Sequence, residues 1–273
     1  MLSRRPAVTE GRAVLVVPPF AEEMNKSRRM ITQVAQQLSA RGVATVIPDL
    51  FGTGDSAGEF GDGDWDVWKD DLRRAMEWSL RSGWRVARML CTRLGCALAA
   101  ETARDAGMSL EGTVFWQPVP DGQQFLNQFL RLRVAASMNM EDRRESVAGL
   151  REQLHGGKSL EVAGYEISPW LADQLDQIRL GSAIGPWLGE LTWMEVVRAC
   201  DAPIPRRSEE IIKGALARGL TVTVKTVNGV PFWASTEIVS LRDLIAGTVD
   251  ALSPITRARS EQQPAGGLAE AAG

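Results

Sequence analysis

Short apolar runs, each followed by a longer stretch of helical periodicity, recur along the first half of the chain, and this alternation restricts the fold more than any other feature. Residues 13–17 (AVLVV) end at Pro18-Pro19 and have no polar face, as a strand buried on both sides requires. In the following KSRRMITQVAQQLSARG, Met30, Val34 and Leu38 share one helical face with Ile31 and Ala35 beside them, and Gly42 marks the stop. A second strand spans 43–47, closed by Pro48. After the glycine-rich FGTGDSAGEFGDGD, a helix starting at Trp65 carries Trp68, Leu72, Ala75, Met76 and Ser79 on its inner face. Residues 85–90 and 113–116 read as further strands, with a small-residue helix over 96–106 between them. Strand and helix alternating through short loops predict an α/β fold, a mostly parallel, doubly wound sheet.

The pattern changes over 120–188. FLNQFLRLRVAASM, the charged EDRRESVAGLREQLHGG and SPWLADQLDQI are helical, the last with Ser168 as N-cap and Pro169 at the first helical position. These segments predict a helical cap inserted at residues 120–188, between an N-terminal core part (1–119) and a C-terminal core part (189–253). The latter resumes with a strand at 191–197, a helix at 208–218, a strand at 221–227 and a helix near 237–252. Residues 254–273 carry little to bury and are expected to form a disordered tail.

Bulk chemistry excludes several function classes. The net charge of −3, with basic residues interspersed among acidic ones, does not suit nucleic-acid binding. Three cysteines without a paired pattern do not form a disulfide framework, and one histidine with no C-x-x-C leaves no zinc site. Asp55, Asp62 and Asp64 fall in Asp-Gly turns, so no metal and no cofactor is expected. The chain lacks a secretory signal pattern and any run near the roughly 18 apolar residues that span a bilayer, which predicts a cytoplasmic protein.

In an open α/β sheet, ligands bind at the carboxyl ends of the strands. There the stretch MLCTRLGCALAA turns from a strand into a small-residue helix. Such an elbow needs small residues two positions either side of its centre. Cys91 and Gly95 meet that need when Arg93 is central. Centring on Thr92 puts Leu90 and Leu94 at the flanks, and centring on Cys91 puts Met89 and Arg93 there, both poorer fits.

The order of elements and DLFGTGDSAG resemble the α/β-hydrolase superfamily. PPFAEEMNKSRRM, PDLFGTGDSAGEF with its following W-x-x-W, FLNQFLRLR, VAGYEISPWLA and G-x-P-F-W more specifically resemble the exosortase A system-associated hydrolase 2 family, over residues 18–238. The resemblance implies an α/β-hydrolase fold with a helical cap. It also implies a hydrolase of ester or acyl-transfer type tied to bacterial exopolysaccharide and exosortase loci, with a small-molecule, acyl or saccharide-linked ligand.

The catalytic residues expected of such a hydrolase are not in place. Arginine stays protonated and cannot attack a carbonyl, although its planar fork pairs with carboxylate or phosphate. Two readings of Arg93 therefore stand, anion binding and filling of a lost active site. The loop after the last strand (NGVPFW, 228–233) has no histidine, and His155 lies in the insertion, where a helix-end role is the plainer reading. Glu195 and Asp201 both suit the triad-acid position, but no serine–histidine pair is there to orient. Glu22, Glu23, Asn25 and Lys26 follow Phe20 in the oxyanion-loop position, where the acids either complement a helix N-terminus or pair with Arg93. Nine tryptophans mark Trp116 and Trp233, near strand ends, as candidate ligand platforms beside Phe20, Asn25 and Lys26; core filling is the alternative. The site thus predicts either a hydrolase with a nonstandard constellation or a pseudo-hydrolase that binds an anionic ligand or serves assembly.

Overall fold

The computed structural model describes residues 11–137, 145–199 and 202–253, together with the backbone of residues 2–4. In chain order the elements are β1 (Leu2–Arg4), β2 (Arg12–Val17), α1 (Glu22–Ala40), β3 (Ala44–Ile47), α2 (Trp65–Arg81), β4 (Arg85–Thr92), α3 (Gly95–Asp105) and β5 (Gly112–Trp116). Then follow α4 (Gly122–Ser137), α5 (Val147–His155), β6 (Leu160–Val162), β7 (Tyr165–Ile167), α6 (Pro169–Gln177) and α7 (Leu180–Ala183). The chain returns to the sheet with β8 (Glu190–Val197), α8 (Arg206–Ala217), β9 (Val222–Asn228) and α9 (Arg242–Leu252).

The main sheet runs β1-β3-β2-β4-β5-β8-β9, with β1 antiparallel to β3 and the other neighbouring pairs parallel. The strand period of two divides its side chains between two cores. Leu15, Val17, Met89, Cys91, Phe115 and Trp193 face α2, α3, α8 and the segment between β5 and β8. Val14, Val16, Leu90, Val114, Trp116 and Met194 face α1 and α9. Strands covered on both faces must be apolar throughout, which is why these runs were visible as continuous hydrophobic stretches.

Local signals set several boundaries. Asp64 caps α2 by accepting the Val67 N–H at 2.8 Å, so this aspartate of the glycine loop serves a helix end. Ser168 caps α6 in the same way through Leu171, with Pro169 next. α1 starts at Glu22, ahead of the periodic segment that predicts it, and α9 starts at Arg242 rather than near 237.

The segment between β5 and β8 is not helical throughout, because it includes the β6–β7 hairpin. Its turn places Ala163 and Gly164 both at positive φ (51° and 83°), the geometry of a two-residue hairpin turn. Alanine there masks the usual Asn-Gly signal. β1 is only three residues long and has no apolar alternation, so the sequence did not announce it either. Asp201, the expected tail at 254–273 and the first part of the predicted charged helix lie outside the described residues.

Candidate functional site

The carboxyl ends of β2, β4 and β5 converge on one point. Arg93 (φ 56°) and Gln117 (43°) follow β4 and β5 directly, and Ala21 (50°) stands four residues past the end of β2, all three non-glycine residues at positive φ. Such conformations cost about 1–3 kcal/mol each and persist only where the surroundings over-determine them. At Arg93 the strand turns into α3 so sharply that a Cβ added to Gly95 would lie 2.3 Å from the Pro18 carbonyl oxygen. Gly95 has an ordinary φ, so closeness to the β2 backbone, and not dihedral freedom, requires glycine. Gly95→Ala is expected to cost about 1–3 kcal/mol, since the atoms it would meet, the Pro18 and Val17 carbonyl oxygens, are backbone. Urea denaturation followed by circular dichroism measures it.

Arg93 is mostly buried and held from three sides. Its Nε donates to both carboxylate oxygens of Glu23, at 3.2 and 3.3 Å. Nη1 donates to the Gln117 carbonyl at 3.3 Å, and the guanidinium carbon lies 4.9 Å from the centre of the Trp233 ring. Gln117 is fixed in turn, its side-chain oxygen accepting from Val196 N–H at 2.7 Å. Burial pushes the Glu23 carboxyl above its ordinary value, although the Arg93 charge and hydrogen bond oppose the shift.

Each expected site residue other than Asp201 has a place in the structure. Glu22 pairs with Lys26 at 3.1 Å one helical turn along, and Asn25 donates to the Tyr165 hydroxyl at 3.2 Å, so those three face the hairpin side of α1. Phe20 is enclosed by edge-on contacts with Phe60, Trp68, Phe125 and Phe129 at 5.4–5.8 Å, packing the base of the elbow against α4. Trp116 is fully buried on the α1/α9 face, its indole donating to Thr248 at 2.7 Å, so it reaches no ligand pocket. The physical reason is strand parity, which turns position 116 away from Phe115 and the cap side. Trp233 lies under Arg93, in the loop where a catalytic histidine was sought. His155 is exposed at the end of α5.

Glu195 on β8 is buried, with Oε1 accepting from the Trp193 indole at 2.8 Å. Oε2 makes no well-formed hydrogen bond among the described residues. Burial pushes this carboxyl up, against the pull of Ser208, Trp193 and Arg93. Arg93 and Glu195 line one open pocket of about 380 Å³ together with Gln117, Asp121, Arg207 and Ser208. Gln117, Arg207 and Ser208 were missed in the sequence. Only their positions just past a strand or at a helix start gave any signal.

Other nucleophiles at the elbow are closed off. Burial pushes the Cys91 and Cys96 thiols well up, so neither supplies a thiolate. Thr92 is fully buried, and its hydroxyl has no hydrogen-bond partner among the described residues. The arrangement therefore presents a fixed guanidinium where an attacking oxygen would stand.

This sheet order, with a strained strand-to-helix elbow and a segment inserted between β5 and β8, defines an α/β-hydrolase fold. The structure is similar to Est1E from Butyrivibrio proteoclasticus solved with ferulic acid (TM-score 0.62, 14% identity, 91% of each chain). It is also similar to a thermostable carboxyl esterase from Bacillus coagulans solved with glycerol (TM-score 0.60, 13% identity, 91% of each chain). A third similar structure is a monoacylglycerol lipase from Paleococcus ferrophilus (TM-score 0.56, 12% identity, 91% of this chain and 96% of that one). No protein-family model matches the sequence, and no curated protein aligns with it. Among the described residues no helix is long and apolar enough to cross a membrane.

Proposed function

We propose that this chain is a pseudo-hydrolase, an α/β-hydrolase fold that binds a small anionic ligand, acyl- or saccharide-linked, without cleaving it. The observation that carries this reading is Arg93 at the elbow apex, at positive φ, locked to Glu23 and resting on Trp233. A cation at that point cannot attack a carbonyl, and the carboxylate of Glu23 opposes a developing oxyanion beside it. The same cation suits a ligand carboxylate or phosphate, and the pocket it lines adds Arg206 and Arg207.

The resemblance to the exosortase A system-associated hydrolase 2 family supports a setting in exopolysaccharide or exosortase loci. The free, buried Cys91 and Cys96 fit a reducing compartment, which supports the cytoplasm. Hydrolysis of esters by a nonstandard constellation is the competing reading, favoured by the preserved elbow geometry.

A fluorophosphonate probe and a panel of short-chain esters separate the two. The expected result is no labelling and no turnover, for the native chain and equally for Arg93→Ser, because the chain's one histidine, His155, stands at the end of α5 and not beside the new hydroxyl. Labelling or ester turnover by the native chain would overturn the proposal.

A further inference from the structure

The pocket at Arg93 continues along the cap into a second depression of about 280 Å³, and the two share Asp121, Gln124, Gln128 and Arg207 as lining. The floor of this extension is one face of α4. Gln124, Gln128 and Arg131 follow one another at i, i+4 and i+7, with Asn127 beside them. From Gln124 to Arg131 the helix rises about 10 Å, longer than a single sugar ring.

The chemistry of this extension is narrow. Its lining is amide, guanidinium and carboxylate with no aromatic or aliphatic side chain, so an acyl chain would gain nothing by entering it. Each amide offers both a donor and an acceptor, which matches hydroxyl groups. The charge left over is positive. Asp121 lies 3.5 Å from Arg179 and 3.5 Å from Arg207, so its charge is shared between two guanidiniums, while Arg131 has no ion-pair partner among the described residues. One covered acceptor in the extension, Asn127 Oδ1, stands without a hydrogen-bond partner among the described residues. Buried acceptors of this kind are rare, and ligand hydroxyls are donors that would satisfy them.

We propose that this groove is a binding track for an anionic, polyhydroxylated chain, a uronic-acid oligosaccharide, with one carboxylate at Arg131 and Arg207 and sugar hydroxyls on Gln124 and Gln128. The proposal deepens the ligand-binding reading above and rests on it.

Titration calorimetry with galacturonic acid, its trimer and neutral maltotriose tests the track. The trimer is expected to bind at least about tenfold tighter than the monomer and than maltotriose, as one or more charge-assisted hydrogen bonds would give. The double substitution Asn127→Ala with Arg131→Ala, two residues that line the extension and not the Arg93 pocket, is expected to remove that gain and leave monomer affinity unchanged. A trimer no tighter than the monomer, a trimer unaffected by the double substitution, or equal binding of maltotriose overturns the track. Absence of all binding overturns it as well. The ligand-binding reading fails on different results, namely labelling by the fluorophosphonate or monomer affinity that is unchanged in Arg93→Lys.

Discussion

Replacing Arg93 by methionine is expected to lower stability by about 3–5 kcal/mol at pH 8, because it leaves the carboxylate of Glu23 buried without its counter-charge. The two side chains are each only 13% exposed, so solvent screens the loss little. Methionine meets the same positive φ as arginine, and backbone strain therefore does not confound the comparison. Pairing Arg93→Met with Glu23→Met should restore stability to within about 1 kcal/mol of the native chain, since a buried ion pair replaced by apolar groups is often neutral or better. Urea denaturation of the native, single and double variants gives the coupling directly, and additive losses would overturn the assignment of the pair.

The pH dependence has a definite sign. Burial holds the Glu23 carboxyl above its unfolded value, so ionising it costs stability. Its contribution is fully present below the unfolded value and is lost as pH rises through the raised folded value. Glu195 is shifted in the same direction and acts with the same sign. Without Arg93 the folded value of Glu23 moves further up. The Arg93→Met penalty should therefore be smaller at pH 5 than at pH 8.

Trp116→Ala is expected to cost about 3–5 kcal/mol through the cavity it opens beneath α9. The indole sits edge-on to Phe232, with ring centres 5.7 Å apart, and its N–H bond to Thr248 ties β5 to α9. Thermal or urea unfolding measures the loss. Ligand affinity of the protein that remains folded should be unchanged, because Trp116 has no exposed surface. An affinity loss with native stability would return Trp116 to the binding site, where its place at a strand end had suggested it belonged.

These two residues also show where sequence reasoning stops. Arg93 was legible because an elbow demands small flanks, and Cys91 and Gly95 allow one centre that meets the demand; that centre has φ of 56°. Its partner was not legible. Glu22 and Glu23 are adjacent and chemically alike, yet one helical step sends Glu22 to Lys26 and Glu23 to Arg93. Strand parity sends Trp116 to the α1/α9 core, whereas Trp233 lies in the loop after β9, and its place against Arg93 follows from packing that no strand pattern encodes. The groove on α4 carried a pattern, Gln124, Gln128 and Arg131 in helical register, but a polar helix face ordinarily means solvent. It became a candidate only when α8 brought Arg207 across from it.

The sequence by itself determined the parallel, doubly covered sheet and the elbow after β4, the third strand that the hydrophobic runs mark. Hydrophobic runs and small flanking residues are local requirements, written where they act. The tertiary structure decided which carboxylate neutralises Arg93, that Trp116 is core while Trp233 supports the cation, and that two depressions join along the cap. Those outcomes depend on contacts between residues 70 or more positions apart, such as Glu23 and Arg93, and only the folded chain brings such residues within reach.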